Sequence, residues 1–411
     1  MCSSDLRDRL TPGMLAVLVL RNMRRSLIIL WLFACTESSP PEDLTGTTEP
    51  TDTTEPTEPT EPTEPTAPME PAPAPTFREL AYFQAVEVPV LLGGVAVDPA
   101  DRNAPLVVDR AAILRAELSV PDGWTPADLE LAVDLTMGSK SETFSVTIHA
   151  QDDAPGVVEI PANAMTTDGT YVVRLADGDQ TLARFPEAGE APLAAMVTGP
   201  LALRLVPFEA NGFVPDTSSA VVEGYRTALM ATYPVTAVSI TVGDVQSWAG
   251  PVDLGAINVR VGELQEQAMV AGEVGWNVYY YGMVSGVASR DEFMGITGTS
   301  ESGGDGELVR AYFAAGAAFG DQKSEDTLIH EIGHTHRLLH TPCDGEDDPD
   351  PAYPYAGGTI GVEGYDFRTG TFIPADTADL MAYCFPRWIS DYSYAKLAAH
   401  VAGAQSYAGF E

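Results

Sequence analysis

Histidines are concentrated in one short stretch of this 411-residue chain. Four of its six histidines lie between His330 and His340, and the stretch opens with the motif His-Glu-Ile-Gly-His. On a helix, His330 and His334 are one turn apart, so both imidazoles project from one face and can bind one Zn²⁺. Glu331 lies beside them, in a position to accept a proton from a water molecule rather than to bind the metal. The pattern predicts a zinc site with hydrolytic chemistry.

A third histidine constrains the backbone after this motif. On a continuing helix, His340 would lie about 120° around the axis from His334 and would face away from the metal. The chain must therefore turn between these two residues if His340 is to be a ligand. His336 would lie about 200° from His334, and we interpret it as a non-ligand.

A helix must position the motif, and the residues before it mark a helix start. Ser324 is a typical N-cap residue. Glu325 and Asp326 place negative charge in the first turn, where the helix dipole favours it. We therefore predict a helix from this cap to about Arg337.

Segments upstream of this helix alternate between helix-like and strand-like patterns, which is typical of an α/β domain. Apolar spacing and apolar runs predict helices over 216–233 and 253–271, and strands over 235–242, 276–284 and 308–315. We assign the α/β domain to residues 206–411.

Residues 77–205 have a different pattern. Short strand-like runs are bounded by Pro, Gly, Asp and Asn, turns recur every 8–15 residues, and no long helix is evident. These features predict an all-β, Ig-like antiparallel sandwich. The fold class is therefore multidomain, with a β-sandwich followed by an α/β domain.

The motif His330-Glu331-x-x-His334-x-x-Arg337-x-x-His340, with Met381 and Tyr383 downstream, resembles the metzincin zinc endopeptidases. Other stretches resemble StcE-like secreted mucin-cleaving metalloproteases and related bacterial lipoproteins: 211–217, Pro342-Cys343, Tyr353-Pro354-Tyr355 and Trp388-Ile389-Ser390-Asp391. The resemblance covers about residues 206–411 and implies a zincin catalytic domain there.

The same resemblance implies a role for each matching residue. His330, His334 and His340 would bind zinc, and Glu331 would be the general base. Met381 would form an apolar floor under the metal, and Tyr383 would stabilise the oxyanion; a core methionine and a core tyrosine are the alternatives. Another possible third ligand is a downstream carboxylate such as Glu363.

Two further expectations follow from the resemblance. The clan usually has glycine at the position of Arg337, because the turn needs a left-handed residue, and a non-glycine residue there costs about 1–2 kcal/mol.

Cys343 follows His340 by three residues, and Cys384 follows Met381 by three. If His340 and Met381 both adjoin the metal, the cysteines should be close, and in an exported protein they should be oxidised. We expect a Cys343–Cys384 disulfide, with two buried free thiols as the alternative.

Acidic residues cluster just after Cys343, at Asp344, Glu346, Asp347, Asp348 and Asp350. Calcium suits such oxygen ligands, but the run lacks the Asp-x-Asp-x-Asp-Gly loop. We favour a solvated loop at the rim of the cleft over a Ca²⁺ site.

Charge excludes some functions. The chain has 22 Lys+Arg against 59 Asp+Glu, for a formal net charge of −37. Such a surface repels phosphate backbones and anionic lipids, which excludes a general nucleic-acid binder and a polybasic membrane sensor. We expect a monomer that acts on a protein or glycoprotein substrate and contacts a membrane only through an N-terminal lipid.

Residues 1–35 predict a lipoprotein signal peptide. Two arginines precede the apolar run 27–33, which is too short for a permanent transmembrane helix. Cys35 follows Leu-Phe-Ala, which resembles a bacterial lipobox, whose cysteine is acylated. A second apolar run at 14–20 leaves Met14 or Met23 as possible starts, and an ordinary cleaved signal peptide is the alternative.

Residues 36–76 predict an extended tether. They contain 11 prolines and 10 acidic residues and no Lys or Arg, including a repeated Thr-Glu-Pro. Such a segment cannot bury a core, and charge repulsion keeps it extended. The predicted location is the cell envelope, as an outer-membrane-anchored lipoprotein, or the extracellular space.

These observations predict a surface-tethered zinc endopeptidase that cleaves extracellular proteins, with mucin-type glycoproteins as the substrate class that the resemblance implies. The alternative is a non-catalytic lipoprotein that binds glycan or protein and keeps a structural metal site. A closed four-ligand site would mark the alternative, whereas three histidines and an open position mark catalysis.

Overall fold

The structure, a computed structural model, describes residues 73–150, 155–300, 312–343, 345 and 349–408, with the backbone alone for 405–408. The predicted signal peptide, its Cys35 and residues 36–72 of the predicted tether lie outside the described residues.

Two antiparallel sheets form the N-terminal part of the described chain. Their strands are β1 (Thr76–Phe83), β2 (Glu87–Leu92), β3 (Val95–Ala96), β4 (Ala112–Ser119), β5 (Asp128–Met137), β6 (Lys140–His149), β7 (Gly156–Ile160), β8 (Thr170–Asp177), β9 (Gln180–Phe185) and β10 (Ala191–Pro192). One sheet has the order β3-β2-β1-β4-β7, and the other has the order β10-β8-β5-β6 with β9 also paired to β8. Tyr82 of the first sheet contacts Tyr171 of the second with ring centroids 5.3 Å apart, so the two sheets enclose one core.

A third sheet follows, and helices alternate with its strands. The elements are β11 (Leu201–Ala210), α1 (Ser219–Thr232), β12 (Val238–Val242), β13 (Gln246–Trp248), α2 (Leu254–Val270), β14 (Val278–Val284), β15 (Gly298–Ser300), β16 (Phe313–Ala317) and α3 (Gln322–Thr335). The strand order is β12-β11-β14-β16-β15, with β13 also paired to β11. All pairings are parallel except β15 with β16. Position 205, where the sequence places a domain boundary, falls inside β11.

The alternation of side chains in these strands separates two helix layers. Phe208 of β11 and Tyr280 of β14 pack against Ile257 of α2 on one face of the sheet. Leu203 and Tyr281, from the same two strands, point to the opposite face, where α1 and α3 lie. Such a two-sided, near-continuous apolar pattern is typical of parallel strands. No helix in the described residues is both long and apolar enough to span a lipid bilayer.

The chain ends in short strands and a helix that contact the sandwich. These are β17 (Gly364–Asp366), β18 (Thr371–Ile373), β19 (Ala378–Asp379), β20 (Arg387–Trp388) and α4 (Asp391–Ala408). Trp388 Nε1 donates a hydrogen bond to the carbonyl oxygen of Ala85 at 2.9 Å, and Arg115 of β4 pairs with Glu363. The described chain is therefore rich in β-strands that form several sheets, as the sequence predicts.

Candidate metal centre

Helix α3 carries the histidine motif, and it begins earlier than the sequence predicts. Its N-cap is Asp321, whose carboxylate accepts hydrogen bonds from the backbone N–H of Ser324 at 2.9 Å and from its hydroxyl at 2.6 Å. Ser324 therefore lies within the first turn and is not the cap. Arg290 explains the difference, because its guanidinium binds both Asp321 oxygens, at 2.6 and 2.7 Å, and fixes the carboxylate in the capping position.

Three histidines converge at the end of α3. The Nε2 atom of His334 lies 3.1 Å from His330 Nε2 and 3.1 Å from His340 Nε2. One ligand atom from each lies within 4.8 Å of the others, so the three residues can hold a metal ion. His336 is buried elsewhere: its Nδ1 donates to the Ile332 carbonyl at 2.8 Å, and its Nε2 accepts from the Tyr279 hydroxyl at 2.9 Å. It stands outside the cluster, in agreement with its interpretation as a non-ligand.

The protonation state of the histidines in the cluster suits the binding of a cation. His330 Nδ1 lies 2.9 Å from the Leu380 carbonyl and His334 Nδ1 lies 2.8 Å from the Leu338 carbonyl, so both Nδ1 atoms carry the proton. Their Nε2 atoms are then unprotonated, and the lone pairs of these atoms face each other. A bound cation stabilises such an arrangement. Nitrogens at ~2.0–2.1 Å from a tetrahedral zinc lie about 3.3 Å apart, close to the separations found here. Burial also lowers the pKa of His334 to about 4 and that of His330 well below its usual value, which favours neutral imidazoles.

A tight turn returns the chain from α3 to the cluster. The N–H of Arg337 donates to the His334 carbonyl at 2.8 Å, and the N–H of Leu338 donates to the Gly333 carbonyl at 3.2 Å. These two bonds form a Schellman motif, whose first residue after the cap is left-handed. Arg337 has φ 64°, as the turn requires. The turn allows His340 to reach His334 although a straight helix would carry it away.

Met381 lies under the helix at the level of the motif. A Cβ built on Gly333 would be 2.7 Å from Met381 Sδ, so the sulfur occupies the space that the glycine leaves. The loop that carries Met381 is held by Asp379, which is fully buried and accepts from the N–H of Met381 at 2.8 Å and of Ser390 at 3.0 Å. Met381 is itself fully buried. This buried sulfur therefore packs against the motif helix, and the neighbouring Leu380 carbonyl lies 2.9 Å from His330 Nδ1.

The predicted disulfide is present. Cys343 and Cys384 are bonded, with their Cα atoms 6.0 Å apart. Nearby, the N–H of Thr341 donates to the Met381 carbonyl at 3.3 Å. The segment after His340 is thus joined to the Met381 loop by a covalent bond and a backbone hydrogen bond.

Glu331 is buried against the short strand β15. A Cβ on Gly298 would overlap its carboxyl group, so the glycine leaves room for this side chain. Burial raises the pKa of Glu331 to about 8, opposed by a hydrogen bond from Ser300 and by the charge of Arg387. A carboxyl group in such surroundings is a stronger base than an exposed one.

An open cleft of about 930 Å³ runs past the cluster. His330, His334 and His340 line it together with Glu331 and Tyr383. The Tyr383 hydroxyl lies 3.2 Å from His340 Nε2, and 48% of this residue is exposed, so its hydroxyl can reach a molecule in the cleft. The structure brings together the predicted ligands, the predicted base and the predicted oxyanion residue.

Residues 297–385 match the family model of peptidase M66. This segment is less than a quarter of the chain, yet it includes β15, the histidine cluster, Glu331, Met381 and Tyr383. The match supports a peptidase, and the three histidines are consistent with a metallopeptidase that binds zinc. No curated protein is significantly similar to this chain. A solved structure described as "Structure of a chaperone-substrate complex" is similar at 14% identity with a TM-score of 0.29, over 61% of this chain and 39% of that chain. This chain thus spans well under half of that one.

The side chains of two other candidates from the sequence are paired elsewhere and do not join the cluster. Glu363, the alternative third ligand, pairs with Arg115 of the sandwich. Asp350 is buried and pairs with Lys396 at 2.7 Å and with the Tyr392 hydroxyl at 2.8 Å. The acidic residues 344 and 346–348 lie outside the described residues.

The structure also reveals cleft residues that the sequence did not mark. Gly298 and Ser300 come from a three-residue strand, and Arg387 follows the disulfide by three residues. The Gly-Ile-Thr-Gly-Thr-Ser run at 295–300 could have indicated an edge strand, because glycines in a strand often mark a close approach. Nothing local in the sequence indicates that Arg387 reaches the cleft.

Proposed function

We propose that this protein is a zinc-dependent endopeptidase, with a zincin-type catalytic domain of the metzincin clan over residues 206–411. The observation that carries the proposal is the convergence of three histidine Nε2 atoms beside a buried glutamate in an open cleft. His330, His334 and His340 would hold the metal. Zinc bound there would act as a Lewis acid that polarises the scissile carbonyl and makes a water molecule more acidic.

The residues of this chain then have distinct tasks. The Glu331 carboxylate would take the proton of the attacking water and pass it to the nitrogen of the leaving amine. The Tyr383 hydroxyl would donate a hydrogen bond to the developing oxyanion. The Nδ1 hydrogen bonds of His330 and His334 to backbone carbonyls would hold both rings in the metal-binding orientation.

The position of β15 supports an extended peptide as the substrate. It is the last strand of its sheet, it pairs only with β16 among the described residues, and Thr297–Ser300 line the cleft. An unpaired strand edge offers backbone N–H and C=O groups to which an extended peptide can add. The open cleft also favours catalysis over a closed structural metal site.

The test is hydrolysis of a panel of glycosylated and bare proteins by the purified chain. We expect cleavage that a chelator abolishes and zinc restores. Glu331→Gln should keep zinc, measured as bound metal per chain, and should lose at least a hundredfold in hydrolysis. Hydrolysis by this variant within tenfold of wild type would contradict the mechanism, and faster cleavage of mucin-type glycoproteins than of their deglycosylated forms would support that substrate class.

We also propose that the protein is tethered to the cell envelope through an acylated Cys35, with residues 36–76 as an acidic, proline-rich spacer. The lipobox-like sequence before Cys35 supports this proposal. Cys35→Ser should move the protein from the membrane fraction to the soluble fraction, and an unchanged distribution would contradict it.

A further inference from the structure

Among the residues that the structure describes, the lining of the cleft has a charge opposite to that of the whole chain. The chain has 59 acidic and 22 basic residues, but the described cleft residues include three cations, Arg290, Lys323 and Arg387, and one acidic group, Glu331. Arg290 is already engaged within the protein, because it forms an ion pair with Asp321. The other two cations form no ion pair within 4 Å with any described carboxylate.

Arg387 lies next to the histidine cluster. Its Nη1 donates to the Ala382 carbonyl at 2.9 Å and lies 3.4 Å from His330 Nδ1, the nitrogen that faces away from the cluster. Its guanidinium stacks on Phe385 with 4.2 Å between the central carbon and the ring centroid. These contacts occupy one of five N–H donors and fix the plane of the group, which leaves the others to bind a ligand.

We propose that Arg387 binds a carboxylate of the substrate close to the scissile bond, which makes it a specificity-determining residue. The proposal rests on the proposed peptidase function. A guanidinium is suited to bidentate recognition of a carboxylate, and the stacked Phe385 ring reduces the freedom that binding must remove. Arg387 Nη1 lies 3.4 Å from the ring of His330, and one extended residue spans about 3.3–3.6 Å, so we place the bound carboxylate one or two residues from the cleaved bond.

Three sources could supply this carboxylate: an Asp or Glu side chain, an acidic sugar on a glycosylated residue, or the C-terminus of a peptide. The surrounding acidic groups limit the strength of the site without filling it. Asp326, Glu331 and Asp379 all act on Arg387 through their charge, but none lies within ion-pair distance. They reduce the positive potential at the guanidinium and occupy none of its hydrogen-bond donors.

The experiment compares matched substrates on the full chain loaded with zinc. One pair has Glu or Gln next to the cleaved bond with blocked termini, a second has a sialylated or desialylated glycan, and a third has a free or amidated C-terminus. For at least one pair, we expect the anionic member to have a kcat/KM at least tenfold above its neutral partner. That ratio should fall to about one in Arg387→Gln, remain partly in Arg387→Lys, and be unchanged in Lys323→Gln, which removes the other unpaired cation of the cleft.

A binding measurement separates recognition from chemistry. Zinc-loaded Glu331→Gln protein, which should bind substrates without cleaving them, should bind the labelled anionic peptide more tightly than its neutral partner in fluorescence anisotropy. Added salt or Arg387→Gln should remove the difference. If wild type cleaves peptides with ratios near one in all three pairs, the role of Arg387 is wrong while the peptidase function stands. If Lys323→Gln loses the preference for the anionic substrate and Arg387→Gln keeps it, the proposed role of Arg387 is also wrong. If no peptide is cleaved at all, the proposed function fails instead.

Discussion

The sulfur of Met381 and the α-carbon of Gly333 in the motif helix face each other, so closely that a Cβ on the glycine would be 2.7 Å from the sulfur. Gly333 lies inside α3, between Glu331 and His334, where glycine normally weakens a helix by about 1 kcal/mol relative to alanine. Its presence there is explained by this contact. The helix loses some intrinsic stability, and the space that the missing side chain leaves admits the Met381 loop.

Gly333→Ala should therefore destabilise the protein although alanine is the better helix former. We expect a loss of about 1–3 kcal/mol in unfolding free energy, because the added methyl overpacks a buried contact, together with weaker zinc binding. Gly255→Ala in α2 is the matched control, since its Cβ would meet only Asp253 at an ordinary 3.4 Å. Urea unfolding and zinc titration check both variants, and a Gly333→Ala variant as stable as wild type would contradict the contact.

Local patterns in the sequence predict much of the cluster, because helix geometry and a strict ligand spacing act over short distances. The one-turn spacing of His330 and His334 and the need for a turn before His340 both hold in the structure. The bond between Cys343 and Cys384 is predicted from their equal spacing after His340 and Met381 together with the resemblance, which implies that both of those residues lie beside the metal. The two inferences about the histidines use residues within 11 positions of one another.

Contacts between distant segments account for what the sequence did not indicate. Ser324 and Asp321 are both good N-cap residues. Which of them caps α3 depends on Arg290, which is 31 positions before Asp321. Arg387 enters the cleft only because β20 pairs with β19 beside Met381. The strand that carries Gly298 has three residues, too few to give a periodic pattern.

The Arg290–Asp321 pair should make stability depend on pH in the acid range. Arg290 holds the pKa of Asp321 well below its usual value. The unfolded carboxyl has a pKa near 3.9, so the ion pair contributes fully above about pH 4 and progressively less as pH falls toward the folded pKa. Asp321→Asn keeps a capping side chain but removes the charge. Its stability deficit relative to wild type should be larger at pH 7 than at pH 3 in urea unfolding, and an equal deficit at both pH values would contradict this origin.

Arg337 holds a conformation that suits glycine. At φ 64°, its Cβ costs about 1–2 kcal/mol, which a glycine would avoid at the expense of a more flexible unfolded chain. Arg337→Gly should thus raise the unfolding free energy by about 0.5–1 kcal/mol. Arg337→Ala is the control, because it removes the charge and keeps the Cβ, and it should give no such gain. If the alanine variant is stabilised as much as the glycine variant, the effect comes from charge rather than from backbone strain.

The Cys343–Cys384 disulfide should support metal binding as well as stability. Its half-cystines are 41 positions apart, and closing a loop of that size restricts the unfolded chain by about 4 kcal/mol in the entropy model. The bond also fixes the segment after His340 against the Met381 loop, to which the N–H of Thr341 donates a backbone hydrogen bond at 3.3 Å.

Without the disulfide, His340 would lie on a segment with more freedom, and binding of zinc would have to order it. We expect reduction with a phosphine to weaken zinc affinity at least tenfold, measured by competition with a chromogenic chelator, and to lower the unfolding temperature. A Cys343→Ser/Cys384→Ser variant should match the reduced protein and should not respond to the reductant, which excludes a direct effect of the reductant on the metal. Unchanged zinc affinity in both the reduced protein and the variant would mean that the turn at Arg337 alone positions His340.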